Sequence, residues 1–127
     1  MRIAIGTDDG TTVRRGLFGD SAQFVIFTLK EGGSSATESR PNTLADPTLP
    51  DKPPRMLAFL ADCDVFVSRS LRTGAFDLFA RNGKRVLVTS HETIADVTAS
   101  LAQNDMSHFR EYDAASGRFL QDSRPLF

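Results

Sequence analysis

The chain has 127 residues, 40% of them hydrophobic and 24% charged, which predicts one domain that can bury its own core. Its 15 basic and 16 acidic residues leave a formal net charge of −1, which excludes a globally basic nucleic-acid-binding protein. The single cysteine cannot form an intramolecular disulfide, the N-terminus lacks a signal core, and no apolar run reaches the roughly 20 residues of a membrane helix. We therefore expect a cytoplasmic protein that binds neither nucleic acid nor membrane.

The first half of the chain predicts three strands. A β-branched run at residues 3–5 ends in turn residues that open a loop. The aromatic and β-branched run at 24–29 gives the strongest strand signal, and the glycines that follow turn the chain into a polar outer strand at 34–40. A polar outer strand protects the edge of a sheet from unwanted pairing. Five prolines between Pro41 and Pro54 then predict a loop that joins two halves of the domain.

The second half alternates short apolar strands, at residues 65–67 and 86–88, with three amphipathic helices. Asp51 is predicted to cap the first helix and Thr73 the second, whereas the third carries its apolar residues between Ile94 and Leu101. Such alternation requires right-handed crossovers and parallel pairing. The sequence thus predicts a three-layer α/β domain, with a mixed five-stranded sheet and helices on both faces.

The last residues differ from this alternating pattern. Two short segments, at 109–113 and 118–122, flank a turn that ends in Gly117 and predict a small β-hairpin. Because an isolated hairpin is marginally stable in water, we expect it to dock on the body of the domain or on a second subunit.

A ligand site is expected in the loops that follow the predicted parallel strands, because ligands bind beyond the carboxyl ends of such strands. These loops lie at residues 7–10, 68–74 and 89–91. In the middle loop, Arg69 and Arg72 precede a helix start at Thr73 and Gly74, whose free N–H groups and dipole favour an anion. The alternative carries equal weight: the arginines are solvated, and Gly74 only allows close packing of the helix.

Other polar residues give weaker indications of chemistry. Asp8 and Asp9 could hold a divalent ion, but Asp62 and Asp64 are expected at the opposite edge of the sheet. A divalent-metal hydrolase is therefore disfavoured, and the first two aspartates are more typical of a turn or of groups that orient the arginines. His91 could face the cleft, although a surface position beside a helix cap fits it better, and the single cysteine is expected to be a buried structural thiol. No catalytic set is recognisable, so we do not expect an enzyme.

Short motifs along the first 104 residues share their order and spacing with a known family. They are residues 1–10 (MRIAIGTDDG), Phe18-Gly19 with Ala22 and Phe24, residues 38–42 (ESRPN), residues 60–65 (LADCDV), Arg69, residues 74–76 (GAF), Gly83, Val88-Thr89 and Ile94. Together they resemble the dinitrogenase iron–molybdenum cofactor biosynthesis family. The resemblance implies a ribonuclease-H-like fold and a non-catalytic protein that holds or shuttles metal–sulfur clusters. It covers residues 1–104 and leaves 105–127 as a C-terminal extension.

The chain departs from the family pattern at two kinds of position. The family commonly has a histidine directly before Phe-Gly, where this chain has Leu17, and many relatives carry histidines in the mid-chain loop, where residues 41–54 have none. The glycine-rich stretch of the family is replaced here by residues 70–73 (SLRT). Ligation of a cluster by the histidine of the family therefore does not transfer to this chain.

Two hypotheses follow from the residues and the resemblance. In the first, the protein is a carrier for an anionic iron–molybdenum or other metal–sulfur cofactor, or its precursor, bound non-covalently and exchanged with proteins that donate or accept it. That site would be lined by Thr7, Asp8, Asp9, Gly19, Arg69, Arg72, Thr73 and Gly74, with His91 as a substitute ligand. In the second, the protein is a regulatory or scaffold module that has lost cluster binding. It would use the extension for protein contacts, including those of a homodimer.

Overall fold

The computed structural model describes residues 1–70 and 74–127. Its strands are β1 (Arg2–Thr7), β2 (Gln23–Lys30), β3 (Gly33–Pro41), β4 (Val65–Ser68), β5 (Arg85–Thr89), β6 (Phe109–Asp113) and β7 (Arg118–Phe119). Its helices are α1 (Lys52–Phe59), α2 (Phe76–Arg81) and α3 (Ile94–Ala102), and a short 3-10 turn spans Phe18–Asp20. The predicted order of strands and helices is confirmed.

The strands form one mixed sheet in the order β3-β2-β1-β4-β5-β6-β7. Its centre is parallel, β1 beside β4 and β4 beside β5, whereas β2, β3, β6 and β7 pair antiparallel with their neighbours. The predicted five-stranded sheet is corrected to a sheet of seven strands in the described part of the chain. The hairpin supplies the other two: without it, the outer edge of β5 would leave its N–H and C=O groups unpaired.

Helices cover both faces of the sheet, so the predicted three layers are confirmed. On one face, α3 packs against alternate residues of the central strands, such as Ile5 and Val67. On the other, α1, α2 and the 3-10 turn enclose an aromatic cluster, in which the ring of Phe66 lies 5.2 Å from Phe18 and 5.1 Å from Phe79. The alternation of side chains along each strand thus divides the apolar residues between two cores.

The helix starts explain one wrong prediction. Asp51 occupies the N-cap position of α1, but its side chain makes no capping hydrogen bond and its backbone is left-handed, with a φ of 54°. The next residues include Pro53 and Pro54, which have no N–H for a capping side chain to bind. Thr93 does cap α3, by accepting a hydrogen bond from the backbone N–H of Asp96 at 3.2 Å. The predicted cap of the second helix, Thr73, lies outside the described residues.

The hairpin docks on the body of the domain. Strand β6 pairs with β5, and Arg85 of β5 binds the buried carboxylate of Glu111 through two hydrogen bonds of 2.7 and 3.0 Å. Beyond the hairpin, Leu126 is buried in the same core as α3, and its N–H donates to the side-chain oxygen of Asn104. The extension therefore completes the sheet and contributes Leu126 to the core beside α3.

Among the described residues, no helix combines the length and the apolar character needed to cross a membrane.

Candidate functional site

The carboxyl ends of β1, β4 and β5 meet at one edge of the sheet. Ile5 is the partner of Val67, and Val67 is the partner of Leu87, so the three strands run in register towards this edge. The loops that follow them open two cavities on either side of Arg69. The larger, of about 500 Å³, is called the β1 cleft and is lined by Asp8, Asp9, Thr12, Val13, Arg14, Arg15, Gly16, Arg69 and Glu92.

Thr7 and Asp9 shape the loop that forms one wall of the β1 cleft. The buried hydroxyl of Thr7 donates to the carbonyl oxygen of Thr12 at 2.6 Å. The carboxylate of Asp9 accepts the backbone N–H groups of Thr12 and Thr11, at 2.8 and 2.9 Å, and the hydroxyl of Thr12. These hydrogen bonds lower the pKa of Asp9 to about 2, so the carboxylate is held charged as part of the turn.

Asp8 orients an arginine across the cleft. One of its oxygens accepts a hydrogen bond from the backbone N–H of Ala22 at 3.0 Å, and the other lies 2.6 Å from Nη1 of Arg14. The N–H of Ala22, and after it Arg14, lower the pKa of this carboxyl. Asp8 and Arg14 therefore largely neutralise each other.

Arg69 and Arg15 supply the positive charge that is not neutralised in this way. The side chain of Arg69 is only 19% exposed, yet the carboxylate paired with it, that of Glu92, lies 4.0 Å away and is itself 70% exposed. Arg15 is exposed, and no carboxylate in residues 1–70 and 74–127 forms an ion pair with it. An anion entering the cleft would meet guanidinium N–H donors that the protein itself leaves weakly bound.

Two of the predicted site residues lie elsewhere. Gly19 and Gly74 line a separate apolar groove of about 400 Å³ between the 3-10 turn, α1 and α2, beside the 38% exposed Leu17. A Cβ atom on Gly74 would meet no described atom within 4 Å, so close packing does not require a glycine there. Helix α2 begins at Phe76, which lines this groove, and Arg72 and Thr73 fall outside the described residues. The structure thus separates the start of the helix from the β1 cleft.

His91 also lies away from the β1 cleft. Its Nε2 atom is 2.8 Å from the hydroxyl oxygen of Ser100 on α3, and its ring centroid is 4.4 Å from that of His108 in the extension. The imidazole is thus packed between α3 and the extension. Among the described residues, no three histidine, cysteine, aspartate or glutamate side chains are grouped as metal ligands would be. The donor set at this edge suits an anion rather than a bare metal ion.

The remaining sequence candidates are structural. Asp62 lies at the opposite edge of the sheet, as expected, where two hydrogen bonds from Arg40 keep the pKa of its carboxyl well below the usual range. Cys63 is fully buried, and burial raises the pKa of its thiol to about 11, so it is an unreactive thiol as expected.

The sequence analysis missed Arg14, Arg15 and Glu92 as site residues. The available signal was the pair of adjacent arginines shortly after the first strand. Their place beside Arg69 depends on the parallel pairing of β1 with β4, which sequence spacing does not give.

Comparisons with known proteins agree with this architecture. A family model described as dinitrogenase iron-molybdenum cofactor matches residues 1–104. A crystal structure from Methanocaldococcus jannaschii, described as a candidate dinitrogenase (mj0327), is similar over 97% of both chains, with a TM-score of 0.60 and 8% identity. The crystal structure of PH0822 is similar over 80% of this chain and 90% of its own, with a TM-score of 0.63 and 22% identity.

An NMR structure from Thermotoga, described as a candidate NifB protein (TM1290), is similar over 82% of this chain and 89% of its own, with a TM-score of 0.56 and 20% identity. At these identities the structural matches show the fold alone. A comparison with curated protein sequences finds no significant match. The family match spans four-fifths of the chain, from the first strand to the end of α3. The chain therefore belongs to the dinitrogenase iron-molybdenum cofactor family.

Proposed function

We propose that this protein is a non-catalytic carrier of an anionic metal–sulfur cofactor, of the iron–molybdenum type, or of its precursor. The observation that carries the proposal is the weakly paired guanidinium of Arg69 at the carboxyl edge of the sheet, beside Arg15, with which no described carboxylate forms an ion pair. Family membership supplies the class of cargo. The protein would act in the cytoplasm, between a protein that donates the cofactor and one that accepts it.

The β1 cleft suggests how such a cargo would be held. Arg69 and Arg15 would donate charge-assisted hydrogen bonds to sulfur or oxygen atoms at the surface of the cluster. The hydrogen-bonded turn around Asp9 fixes the opposite wall, so little of the site has to reorganise when the cargo enters. Binding through N–H donors, without a covalent ligand, would let the cluster leave intact to an acceptor protein.

The second function, a regulatory or scaffold module, is favoured by one observation. The chain has Leu17 where the family commonly has a histidine, and this leucine stands exposed beside the apolar groove. Such a module would bind protein through this surface or through the extension and would take up no cluster.

The decisive experiment is anaerobic reconstitution with iron, molybdate and sulfide, followed by desalting, metal analysis and visible absorption. The carrier proposal expects near-stoichiometric metal and a cluster-like spectrum. Arg69→Ala should then retain at least fivefold less metal, because the best-positioned donors of the cleft are removed, whereas His91→Ala should retain as much as the wild type.

The matched control is Arg55→Ala, which removes one exposed arginine on α1, away from the cleft. Circular dichroism of each apo variant establishes that it is folded. Equal retention by the Arg69→Ala and Arg55→Ala variants would overturn the assignment of the site. A wild type that retains no metal and accepts no preassembled cofactor would favour the scaffold function instead.

A further inference from the structure

A second cavity lies on the other side of Arg69, and the C-terminal extension contributes half of its lining. This cavity, of about 350 Å³, is called the β6 pocket. The body of the domain contributes Arg69 and Ser90, at the ends of β4 and β5, and the extension contributes Ser107, His108 and Arg110. The family match ends at residue 104, so half of this pocket is formed by residues outside it.

The lining of the β6 pocket is cationic and hydroxyl-rich. Of the residues the structure describes, no aspartate or glutamate lines it. Two carboxylates border it: that of Glu92 stands 4.0 Å from Arg69, and that of Asp105 accepts the hydroxyl of Ser107 at 2.7 Å. Arg69 and Arg110 therefore line one small cavity to which no described carboxylate contributes.

The protein restrains both arginines in part before any ligand arrives. The guanidinium carbon of Arg110 lies 4.9 Å from the centroid of the Phe119 ring, a stacking contact that limits its rotation. No carboxylate in the described ranges pairs with it. Arg69 is four-fifths buried. Because burial restricts Arg69 and the ring contact restricts Arg110, a ligand would be bound without the full entropic cost of immobilising them.

We propose that the β6 pocket binds a tetrahedral oxyanion between Arg69 and Arg110. Guanidinium groups bind such anions through paired N–H donors, and the hydroxyl of Ser90, 3.3 Å from Nδ1 of His108, stands beside them as a further polar group. Phosphate and molybdate share this chemistry. If phosphate is the preferred anion, the pocket is a docking point for a phosphorylated ligand. If molybdate is preferred, the pocket is an entry site for a precursor of the proposed cargo, an inference that rests on the proposed function.

The test is an NMR titration of the ¹⁵N-labelled protein with sodium phosphate and, separately, with sodium molybdate. Ionic strength is held constant with sodium chloride, so that general screening of surface charges does not change. Saturable shifts are expected at the backbone amides of Ser90, Ser107 and Arg110. The anion that binds with the lower dissociation constant shows whether the pocket prefers a phosphorylated ligand or molybdate.

Arg110→Gln should weaken binding of the preferred anion about tenfold, the usual effect of losing one charge-assisted hydrogen bond. The control Arg118→Gln removes an exposed arginine from the same hairpin, outside the pocket, and should bind as the wild type does. Shifts that do not saturate with either anion, or equal weakening by both variants, would overturn the proposal. Neither anion titration involves a cluster, so this result is separate from that of the reconstitution experiment.

Discussion

Glu111 shows how a single charged residue holds the extension to the body of the domain. Its side chain is 1% exposed and lies between the guanidinium groups of Arg85 and Arg124. Arg85 also donates to the carbonyl oxygens of Arg124 and Pro125, at 2.8 and 3.0 Å. One ion-pair cluster thus links β5, β6 and the C-terminal segment.

Replacing Glu111 with alanine should lower the free energy of unfolding by about 3–5 kcal/mol, because Arg85 would remain largely buried without its counter-charge. Urea unfolding at pH 7 measures this change. The control is Glu31→Ala, which removes an exposed carboxylate in the β2–β3 turn and should cost less than about 0.5 kcal/mol. Similar losses in the two variants would show that the cluster contributes little to stability.

The same carboxylate should make stability depend on pH in the acid range. Burial raises the pKa of Glu111, but its hydrogen bonds to Arg85 and Arg124 more than offset this effect and leave the pKa below the ordinary value of 4.5. A carboxyl group whose pKa is lower in the folded state stabilises the protein above its unfolded pKa and loses this effect as the pH falls through the folded value. The free energy of unfolding should therefore decrease as the pH is lowered below about 4.5.

Urea titrations between pH 6 and pH 2.5 test this expectation. Glu111→Gln removes the titrating group, so its stability should be lower at pH 6 and should decline less steeply in acid than that of the wild type. Parallel curves for the two proteins would place the acid sensitivity in other carboxyl groups, such as Asp62.

At the scale of helices and strands, local pattern was sufficient for most of the fold. The apolar runs at residues 24–29, 65–67 and 86–88 each became a strand, since β-branched and aromatic runs need no distant partner to be recognised. Predictions that depended on contacts between distant parts of the chain were less accurate. The two hairpin strands were predicted but not as part of the sheet, because the place of β6 depends on the free edge of β5. The cap at Asp51 failed because two prolines remove its N–H partners.

The candidate site was predicted only in part, for the same reason. The edge that carries it follows from parallel strands, and Arg69 follows from its place after β4. Arg15 and Arg110 lie 54 residues before and 41 residues after it in the sequence, and only the order of the strands brings them to its two sides. Gly74, grouped with it by loop position, and Gly19, included through the Phe-Gly motif of the resemblance, line a different cavity.

Helix α3 offers a test of local sequence signals. Thr93→Ala should lower the free energy of unfolding by about 1 kcal/mol, because the N–H of Asp96 loses its capping partner. Thr98→Ala, within the same helix, removes a hydroxyl whose one hydrogen-bond partner among the described residues is the carbonyl oxygen of Ala95, and should be neutral or slightly stabilising. Thermal unfolding of both variants distinguishes the contribution of the cap to stability from the general effect of replacing a threonine with alanine.

At the scale of the whole molecule, the extension belongs to both cores. Phe109 and Leu126 are buried with α3 on one face of the sheet, and Tyr112 is buried with α2 on the other. Burial of each such side chain contributes about 1.5–3 kcal/mol, so the three together approach the stability of a typical small domain. The family match at residues 1–104 thus ends inside a structure that continues through β6 and β7.

Residues 1–104 expressed alone should therefore fail to form the native fold. Removal of residues 105–127 uncovers both cores and leaves the edge of β5 unpaired, which favours aggregation. Near-ultraviolet circular dichroism and size-exclusion chromatography of the two chains measure the loss of packing and the change in mass. Under the scaffold hypothesis the truncated chain would instead stay folded and change only its oligomeric state. A folded fragment of changed mass would thus assign the extension to protein contacts, and a folded fragment of unchanged mass would argue against that role. An unfolded fragment makes the extension the last layer of a single domain whose sheet edge also carries the β6 pocket.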